Sequence, residues 1–272
     1  MPEGAVDIVV LVPGSGPTDR DGNSAQTKLS SDSYRLLAQG LVDQGIACLR
    51  VDKRGMFGSA DAVEDANAVT LSDYADDLTR WADFASTLAP NVWLAGHSEG
   101  GLVAMLAAPA VKLAGLVLLA VPGRPAAEIV QEQLATNPAN APYLQEVSDI
   151  MEDLAAGRRR DMSAMSESLC PLFRDEVQGY WCDLLSANPT SLAGAWQGPA
   201  LIVQGDADRQ VSTVDADALA AALIGGVRLD LPGAGHMLKA EVDGDPLASY
   251  RDPTLPIHPD LVPGIARFIR SA

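Results

Sequence analysis

The sequence of 272 residues contains few cysteines and few basic residues. Its three cysteines are Cys48, Cys170 and Cys182, an odd and sparse set that is typical of a reducing compartment rather than of a disulfide framework. Only 19 lysines and arginines stand against 36 aspartates and glutamates, which gives a formal net charge of −17. Because such a surface repels phosphate groups, we expect neither nucleic acid nor a membrane surface as a partner.

Long hydrophobic runs and metal-ligand clusters are also absent. The longest apolar runs have the length of a strand and fall well short of the roughly 20 residues that cross a bilayer. The chain passes from residues 1–4 directly into an apolar run, without the basic region or the cleavage site of a secretion signal. No cysteines and histidines occur at the spacing of metal ligands. We therefore expect a cytoplasmic protein without a bound metal.

Short apolar runs and amphipathic stretches alternate along the chain. Two stretches, at 32–44 and 71–88, carry apolar residues at helical spacing. The apolar runs are too short for helices, and most are apolar on both faces, as parallel strands covered by helices are. They lie at 6–12, 46–51, 92–95, 116–121, 200–203 and 227–231. The alternation predicts an α/β fold with a mostly parallel, doubly wound sheet of about six strands.

The interval 124–197 contains no convincing strand. We interpret it as a helical cap inserted before the fifth predicted strand, at 200–203. Residues 1–123 and 198–272 then form the core. Helical stretches are expected at 129–134, 143–154 and 169–185. Several methionines and aromatic residues in the cap are candidates to line a substrate pocket, although a stripe of this kind is more often internal packing. They are Met151, Met162, Met165, Leu169, Phe173, Tyr180 and Trp181.

The run at 92–95 leads into Gly96-His97-Ser98-Glu99-Gly100, and an apolar stretch follows. This G-x-S-x-G pattern between a strand and a helix is typical of a sharp turn that exposes a nucleophilic serine. Side chains at the flanking glycines would collide, and the N-terminus of the following helix favours negative charge that develops near the serine. Ser98 is therefore the candidate nucleophile.

A serine hydroxyl needs a base, which is normally a histidine that a carboxylate orients. Of the three histidines, His97 lies within the turn and is expected to support it structurally, while His258 lies in a Pro-Ile-His-Pro segment and is expected at the surface. His236 follows the last predicted strand on a Gly-Ala-Gly loop, at the edge where such a sheet collects its site. His236 is the candidate base.

Two aspartates follow the strand at 200–203. Asp208 is the better candidate for the orienting acid because its spacing lets the loop turn back towards His236, whereas Asp206 is expected to brace the turn. A metal-binding Asp-x-Asp pair is the alternative, but no third carboxylate and no phosphate-binding loop accompany it.

The first strand ends in the small-residue segment 13–23, Pro-Gly-Ser-Gly-Pro-Thr-Asp-Arg-Asp-Gly-Asn. The backbone N–H of Ser15, paired with that of Glu99, is expected to form an oxyanion hole. A dinucleotide-binding loop is the rival interpretation, but the third glycine of that motif is missing and the aspartates would repel a pyrophosphate.

Together these motifs resemble the α/β-hydrolase superfamily, in which serine, acid and histidine follow one another in this order. The segment at 13–23 and the Gly-His-Ser-Glu-Gly turn are similar to a bacterial group of serine carboxylesterases, and residues 52–59, Asp-Lys-Arg-Gly-Met-Phe-Gly-Ser, resemble a turn found in many members. The resemblance implies a Ser98–His236–Asp208 triad, an oxyanion hole from Ser15 and Glu99, a small-molecule ester as substrate, and no cofactor. The chain departs from many relatives in having Pro13-Gly14 where they have His-Gly. A homodimer is left open.

Other reactions on the same triad are also left open, namely those of thioesterases, lactonases, amidases and acyltransferases. A dehalogenase or an epoxide hydrolase is disfavoured because those relatives have an aspartate where this chain has Ser98. A binding protein with a hydrolase-like fold is the alternative outside catalysis, and the presence of all three triad residues argues against it.

Overall fold

A computed structural model describes residues 1–272 and contains a six-stranded parallel sheet in the order β4-β1-β5-β6-β7-β8. A separate two-stranded antiparallel ribbon, β2-β3, follows β1 along the chain. The strands are β1 Asp7–Val12, β2 Asn23–Ser24, β3 Leu29–Ser30, β4 Ala47–Arg50, β5 Asn91–His97, β6 Gly115–Leu119, β7 Ala200–Gly205 and β8 Val227–Leu231. The predicted α/β fold with about six parallel strands is confirmed.

Helices cover both faces of this sheet. They are α1 Ser33–Asp43, α2 Leu71–Ser86, α3 Glu99–Ala107, α4 Ala126–Ala135, α5 Leu144–Ala155, α6 Cys170–Phe173, α7 Gln178–Ser186, α8 Pro189–Ala195, α9 Thr213–Ala222, α10 Ala248–Arg251 and α11 Leu261–Ser271. None of them combines the length and the apolar character that a transmembrane crossing requires.

The two sides of the sheet bury separate apolar clusters. Ile8 and Val10 of β1 face a cluster that includes α2 and α3, while Val9 and Leu11 face one that includes α1 and α11. Since successive side chains of a strand point to opposite faces, a strand covered on both sides must be apolar throughout. This is why the central strands appear in the sequence as continuous apolar runs.

The predicted helices at 32–44 and 71–88 correspond to α1 and α2. Helix α2 begins where the Thr70 hydroxyl accepts the N–H of Asp73 and the Asp73 carboxylate accepts the N–H of Thr70. This reciprocal cap satisfies two backbone donors that a helix start otherwise leaves without partners.

Helices α4–α8 fill the interval between β6 and β7. The single helix predicted at 169–185 is wrong, because Arg174 has extended backbone angles, φ −57° and ψ 153°, that separate α6 from the turn before α7. Side chains of α5 and α7 share one apolar cluster with the sheet. The division into a core and a cap at 124–197 stays a prediction.

Candidate active site

The carboxyl ends of β1 and β5 lie side by side, with Val12 in register with Gly96. From β1 the chain moves outward to β4 and then returns past β1 to β5, so the direction of strand progression reverses between these two strands. In open parallel sheets, ligands bind at such a reversal, outside the carboxyl ends of the strands. The loop that carries Ser15 and the turn that carries Ser98 both start from this edge.

Ser98 occupies the strained turn that its motif predicts. Its backbone angles are φ 53° and ψ −127°, a conformation that L-residues rarely adopt and that costs on the order of 1–3 kcal/mol. The turn is tight enough to exclude side chains at its glycines. A Cβ at Gly96 would lie 2.2 Å from the carbonyl oxygen of Gly100, and one at Gly100 would lie 2.5 Å from that of Val12. The turn thus exposes Ser98 at the start of α3.

His236 and Asp208 are joined by a hydrogen bond of 2.8 Å between Nδ1 and Oδ2, and both side chains are buried. The other carboxylate oxygen of Asp208 accepts the backbone N–H groups of Gln210 and Val211 at 2.8 and 3.0 Å. Burial acts to raise the pKa of the Asp208 carboxyl, but the bond from His236 and these two N–H groups lower it below its usual value. An ionised Asp208 holds the imidazole proton on Nδ1 and leaves Nε2 free to accept a proton.

Ser98 and His236 line the same cavity, which has a volume of about 290 Å³. The Ser98 hydroxyl and the His236 ring are not hydrogen-bonded in this structure. In enzymes without substrate, catalytic hydrogen bonds of this kind are often long and tighten only when the substrate binds.

His97 precedes Ser98 in the chain and connects the serine turn to Tyr34 and to the His236 loop. Its Nε2 donates to the carbonyl oxygen of His236 at 2.8 Å, and its Nδ1 accepts the Tyr34 hydroxyl at 2.8 Å. Because a carbonyl oxygen only accepts, the proton of the neutral ring must be on Nε2. Burial and the neighbouring His236 lower the pKa of His97 to about 3, so the ring stays neutral. The expected supporting role of His97 agrees with these contacts.

The loop that carries His236 has two further supports. Asp206 accepts the N–H of Gly233 at 2.6 Å, which is the bracing contact expected of it. His258 was expected at the surface, and this is wrong: it is only 7 % exposed, and its Nε2 lies 3.2 Å from the carbonyl oxygen of Pro232. No group of three or more histidine, cysteine, aspartate or glutamate side chains in residues 1–272 is arranged to hold a metal ion.

Ser15 and Glu99 both line a cavity that Ser98 also lines. Neither backbone N–H group takes part in the turn and loop hydrogen bonds of the protein. As the first residue of α3, Glu99 has no acceptor within its own helix. Both N–H groups are therefore available to an external acceptor, as an oxyanion hole requires.

This second cavity at Ser98 has a volume of about 500 Å³ and is mainly apolar. Of the seven predicted pocket residues, only Tyr180 and Trp181 line it. Met151, Leu169 and Phe173 are instead buried in the core, and Met162 and Met165 do not border either cavity at Ser98. The apolar lining that the sequence did not predict comprises Leu102, Pro122, Ala126, Ile129, Val130, Leu134, Leu172, Leu184 and Val211.

A doubly wound parallel sheet with a strained serine turn after a central strand and an Asp–His pair on the following loops is the arrangement of an α/β-hydrolase. Comparison with known proteins agrees, because residues 9–247 match the Alpha/beta hydrolase family. The chain belongs to this family.

Individual relatives include several esterases. The chain is 30% identical over 224 residues to esterase EstD of Thermotoga maritima, a match that covers 78% of this chain and 49% of the relative. It therefore spans about half the length of that curated relative.

Among solved structures, Est1E of Butyrivibrio proteoclasticus with bound ferulic acid has a TM-score of 0.59 at 17% identity, covering 100% of this chain and 90% of the other. A thermophilic esterase of Thermogutta terrifontis has a TM-score of 0.57 at 21% identity, with coverages of 98% and 91%. At these identities the two structures establish the fold alone.

Proposed function

We propose that this protein is a serine hydrolase that cleaves carboxylic esters through an acyl-enzyme intermediate. One observation carries the proposal: the strained Ser98 opens onto the same cavity as His236, whose Nδ1 is held by the buried Asp208 at 2.8 Å. The similarity of the 13–23 loop and the Gly-His-Ser-Glu-Gly turn to bacterial serine carboxylesterases supports an ester substrate, as does the match to esterase EstD.

In the proposed reaction, His236 Nε2 takes the proton of the Ser98 hydroxyl as the oxygen attacks the ester carbonyl. The carbonyl oxygen becomes an oxyanion that accepts the N–H groups of Ser15 and Glu99. His236 then returns the proton to the departing alcohol, and a water molecule activated by the same ring releases the acid from Ser98. These steps need no metal and no organic cofactor.

The two cavities at Ser98 fit the two halves of an ester. The departing oxygen must receive its proton from His236, so the alcohol occupies the cavity of about 290 Å³ that His236 lines. The lining of that cavity is more polar than that of the second cavity, and its polar residues include Thr18, Thr27, Lys28, Gln210 and Tyr250. The acyl group then occupies the mainly apolar cavity of about 500 Å³. The expected substrate is an ester of a small-to-medium apolar acyl group with a small polar alcohol.

In this proposal the helices at 124–197 act as the cap of the acyl cavity. Ile129 and Leu134 of α4 and Trp181 and Leu184 of α7 supply much of the apolar lining. Leu102 of helix α3 and Pro122 of the loop after β6 also line this cavity. Substitutions in this cap should therefore change the preference for acyl groups more than they change the rate of the chemical step.

Labelling with a fluorophosphonate, read by intact mass and peptide mapping, tests the proposed nucleophile. We expect one adduct on Ser98 of the native protein and none on Ser98→Ala. A folded native protein that takes up no adduct would exclude an activated serine and favour a binding protein. Rates on matched ester, thioester, lactone and amide substrates then distinguish the esterase from the other reactions of the same triad, and the ester should be the fastest.

A further inference from the structure

Lys53 binds the peptide group that carries one of the two proposed donors of the oxyanion hole. Its ammonium group donates a hydrogen bond of 2.7 Å to the carbonyl oxygen of Gly14. That carbonyl and the N–H of Ser15 belong to one peptide group, and the peptide is trans, so the two point in opposite directions. Lys53 therefore holds one end of the peptide whose other end is the proposed donor to the oxyanion.

Lys53 lies in the turn after β4 and is 7 % exposed. Its ammonium group faces the carboxylate of Glu99 at 4.0 Å, and it lies 5.2 Å from the centre of the Tyr74 ring. The Tyr180 hydroxyl donates to the same Glu99 carboxylate. The Lys53 ammonium group therefore lies much closer to the Gly14 carbonyl oxygen than to the Glu99 carboxylate. The carboxylate balances the buried positive charge without a direct hydrogen bond.

The neighbouring peptide is also fixed. The N–H of Gly14 donates to the Tyr34 hydroxyl at 3.1 Å, and that hydroxyl is held in turn by His97. With its N–H bound by Tyr34 and its carbonyl bound by Lys53, Gly14 has little freedom to rotate. The direction of the Ser15 N–H follows from these two contacts.

We propose that Lys53 is a positioning residue, which aims the Ser15 N–H at the oxyanion and strengthens it as a donor. A cation at the carbonyl oxygen draws electron density away from the nitrogen of the same peptide, and in a buried site little solvent screens this effect. The contribution grows with the negative charge on the substrate oxygen, so it stabilises the transition state more than the bound ester. The inference rests on the proposed function.

Substitution of Lys53 by methionine, which keeps the length of the side chain, tests the proposal. Since loss of a whole oxyanion donor lowers kcat by about 100- to 1,000-fold, we expect Lys53→Met to lower it by about 10- to 100-fold with little change in KM. Affinity for a trifluoromethyl ketone, whose adduct with serine carries an oxyanion, should fall by a similar factor. Ser98 should still react with the fluorophosphonate, which separates a failure of this inference from a failure of the proposed function.

The pH profile gives a readout that a purely structural role would not change. Burial lowers the pKa of Lys53, and the Glu99 carboxylate partly opposes this effect. Burial raises the pKa values of Tyr74 and Tyr180. Loss of the lysine proton should therefore lower kcat of the native enzyme at a pH below the usual lysine range. Lys53→Met should lack this alkaline decline. A native kcat that stays constant up to the usual lysine range would overturn the proposal, even if the variant does not fold.

Two further variants separate positioning from stability. Lys53→Met with Glu99→Gln removes both buried charges and keeps the backbone N–H of residue 99, and we expect the loss of kcat and of ketone affinity to persist. Recovery of both would assign the loss to the unpaired carboxylate and overturn the proposal. Lys239→Met removes another buried lysine, which binds the carbonyl oxygens of Ser31 and Asp252. This control should lower stability without changing ketone affinity in the folded protein, and an equal loss of affinity would also overturn the proposal.

Discussion

The Nε2 of His97 donates a hydrogen bond of 2.8 Å to the backbone carbonyl oxygen of His236, and the two rings lie 4.6 Å apart. One residue of the serine turn therefore holds the backbone of the proposed base directly. The Tyr34 hydroxyl completes the connection, because it accepts the N–H of Gly14 and donates to His97 Nδ1. Three loops from three strands are thus fixed relative to one another by one buried, neutral imidazole.

Replacement of His97 by phenylalanine should lower kcat by about 10-fold or more with little change in KM, because a base displaced by a fraction of an ångström transfers protons poorly. The buried Tyr34 hydroxyl loses its acceptor and the buried His236 carbonyl loses its donor, and each loss should reduce stability by about 1–3 kcal/mol. His97→Gln keeps an amide donor for the His236 carbonyl and should retain more activity. Equal kcat in the two variants would show that this hydrogen bond does not position the base. Steady-state kinetics and urea unfolding measure both effects.

Stability should fall as the pH drops from about 6.5 towards 4.5, and His97 should contribute to this fall. Its pKa is lowered to about 3 in the folded protein, whereas an unfolded chain binds a proton at its ordinary pKa near 6.5. Between these values the unfolded state holds more protons, so the free energy of unfolding decreases as the pH decreases. The expected loss is roughly 2–3 kcal/mol by pH 4.5.

Urea unfolding of the native protein and of His97→Gln at several pH values isolates this contribution. The lowered pKa of Asp208 also makes stability fall as the pH decreases, but only near and below the ordinary aspartate pKa of about 3.9, so it adds little between pH 6.5 and 4.5. The variant should therefore show a shallower dependence between pH 6.5 and 4.5. Equal slopes would mean that His97 is not the group responsible.

The sequence predicted the parts of this molecule that local pattern determines. Strands β1, β5 and β6 are apolar on both faces and so were visible as runs, and the serine turn was visible from its glycines. Tyr34 and Lys53 were missed, since both contact Gly14 from 20 and 39 residues away and nothing beside them in the sequence indicates this.

The pocket was predicted poorly for a related reason. An apolar stripe on a helix does not tell whether it faces a cavity or the core, and Met151 and Phe173 proved to face the core. The burial of His258 could not be predicted either, because it depends on contact with Pro232, 26 residues earlier in the chain. Packing between distant segments decided all these cases.

Replacement of Asp208 by asparagine should lower kcat by about 1,000- to 10,000-fold with little change in fold, because an amide no longer holds the imidazole proton on Nδ1. Asp206→Asn is the matched control: its amide oxygen can still accept the N–H of Gly233, so kcat should stay within about 3-fold of the native value. Hydrolysis rates and the rate of fluorophosphonate labelling should fall together in the first variant. Similar losses in both variants would remove the distinction between the proposed acid and the proposed brace.

Filling the acyl cavity should change the choice of acyl group. Val130 lines the cavity of about 500 Å³, and a tryptophan in its place would occupy part of that space. We expect kcat/KM of Val130→Trp to fall by about 10-fold or more on octanoyl esters and to change little on acetyl esters of the same alcohol.

Met151→Leu is the control for this prediction, because Met151 is buried in the core and does not line the cavity. A swap of similar volume there should lower stability by less than about 1.5 kcal/mol and leave the ratio of octanoyl to acetyl rates unchanged. If Val130→Trp also leaves that ratio unchanged, the acyl group does not bind beneath α4. In that case Thr27→Phe, which narrows the cavity shared with His236, should alter acyl preference instead of alcohol preference. The pair of variants therefore assigns each half of the ester to one cavity.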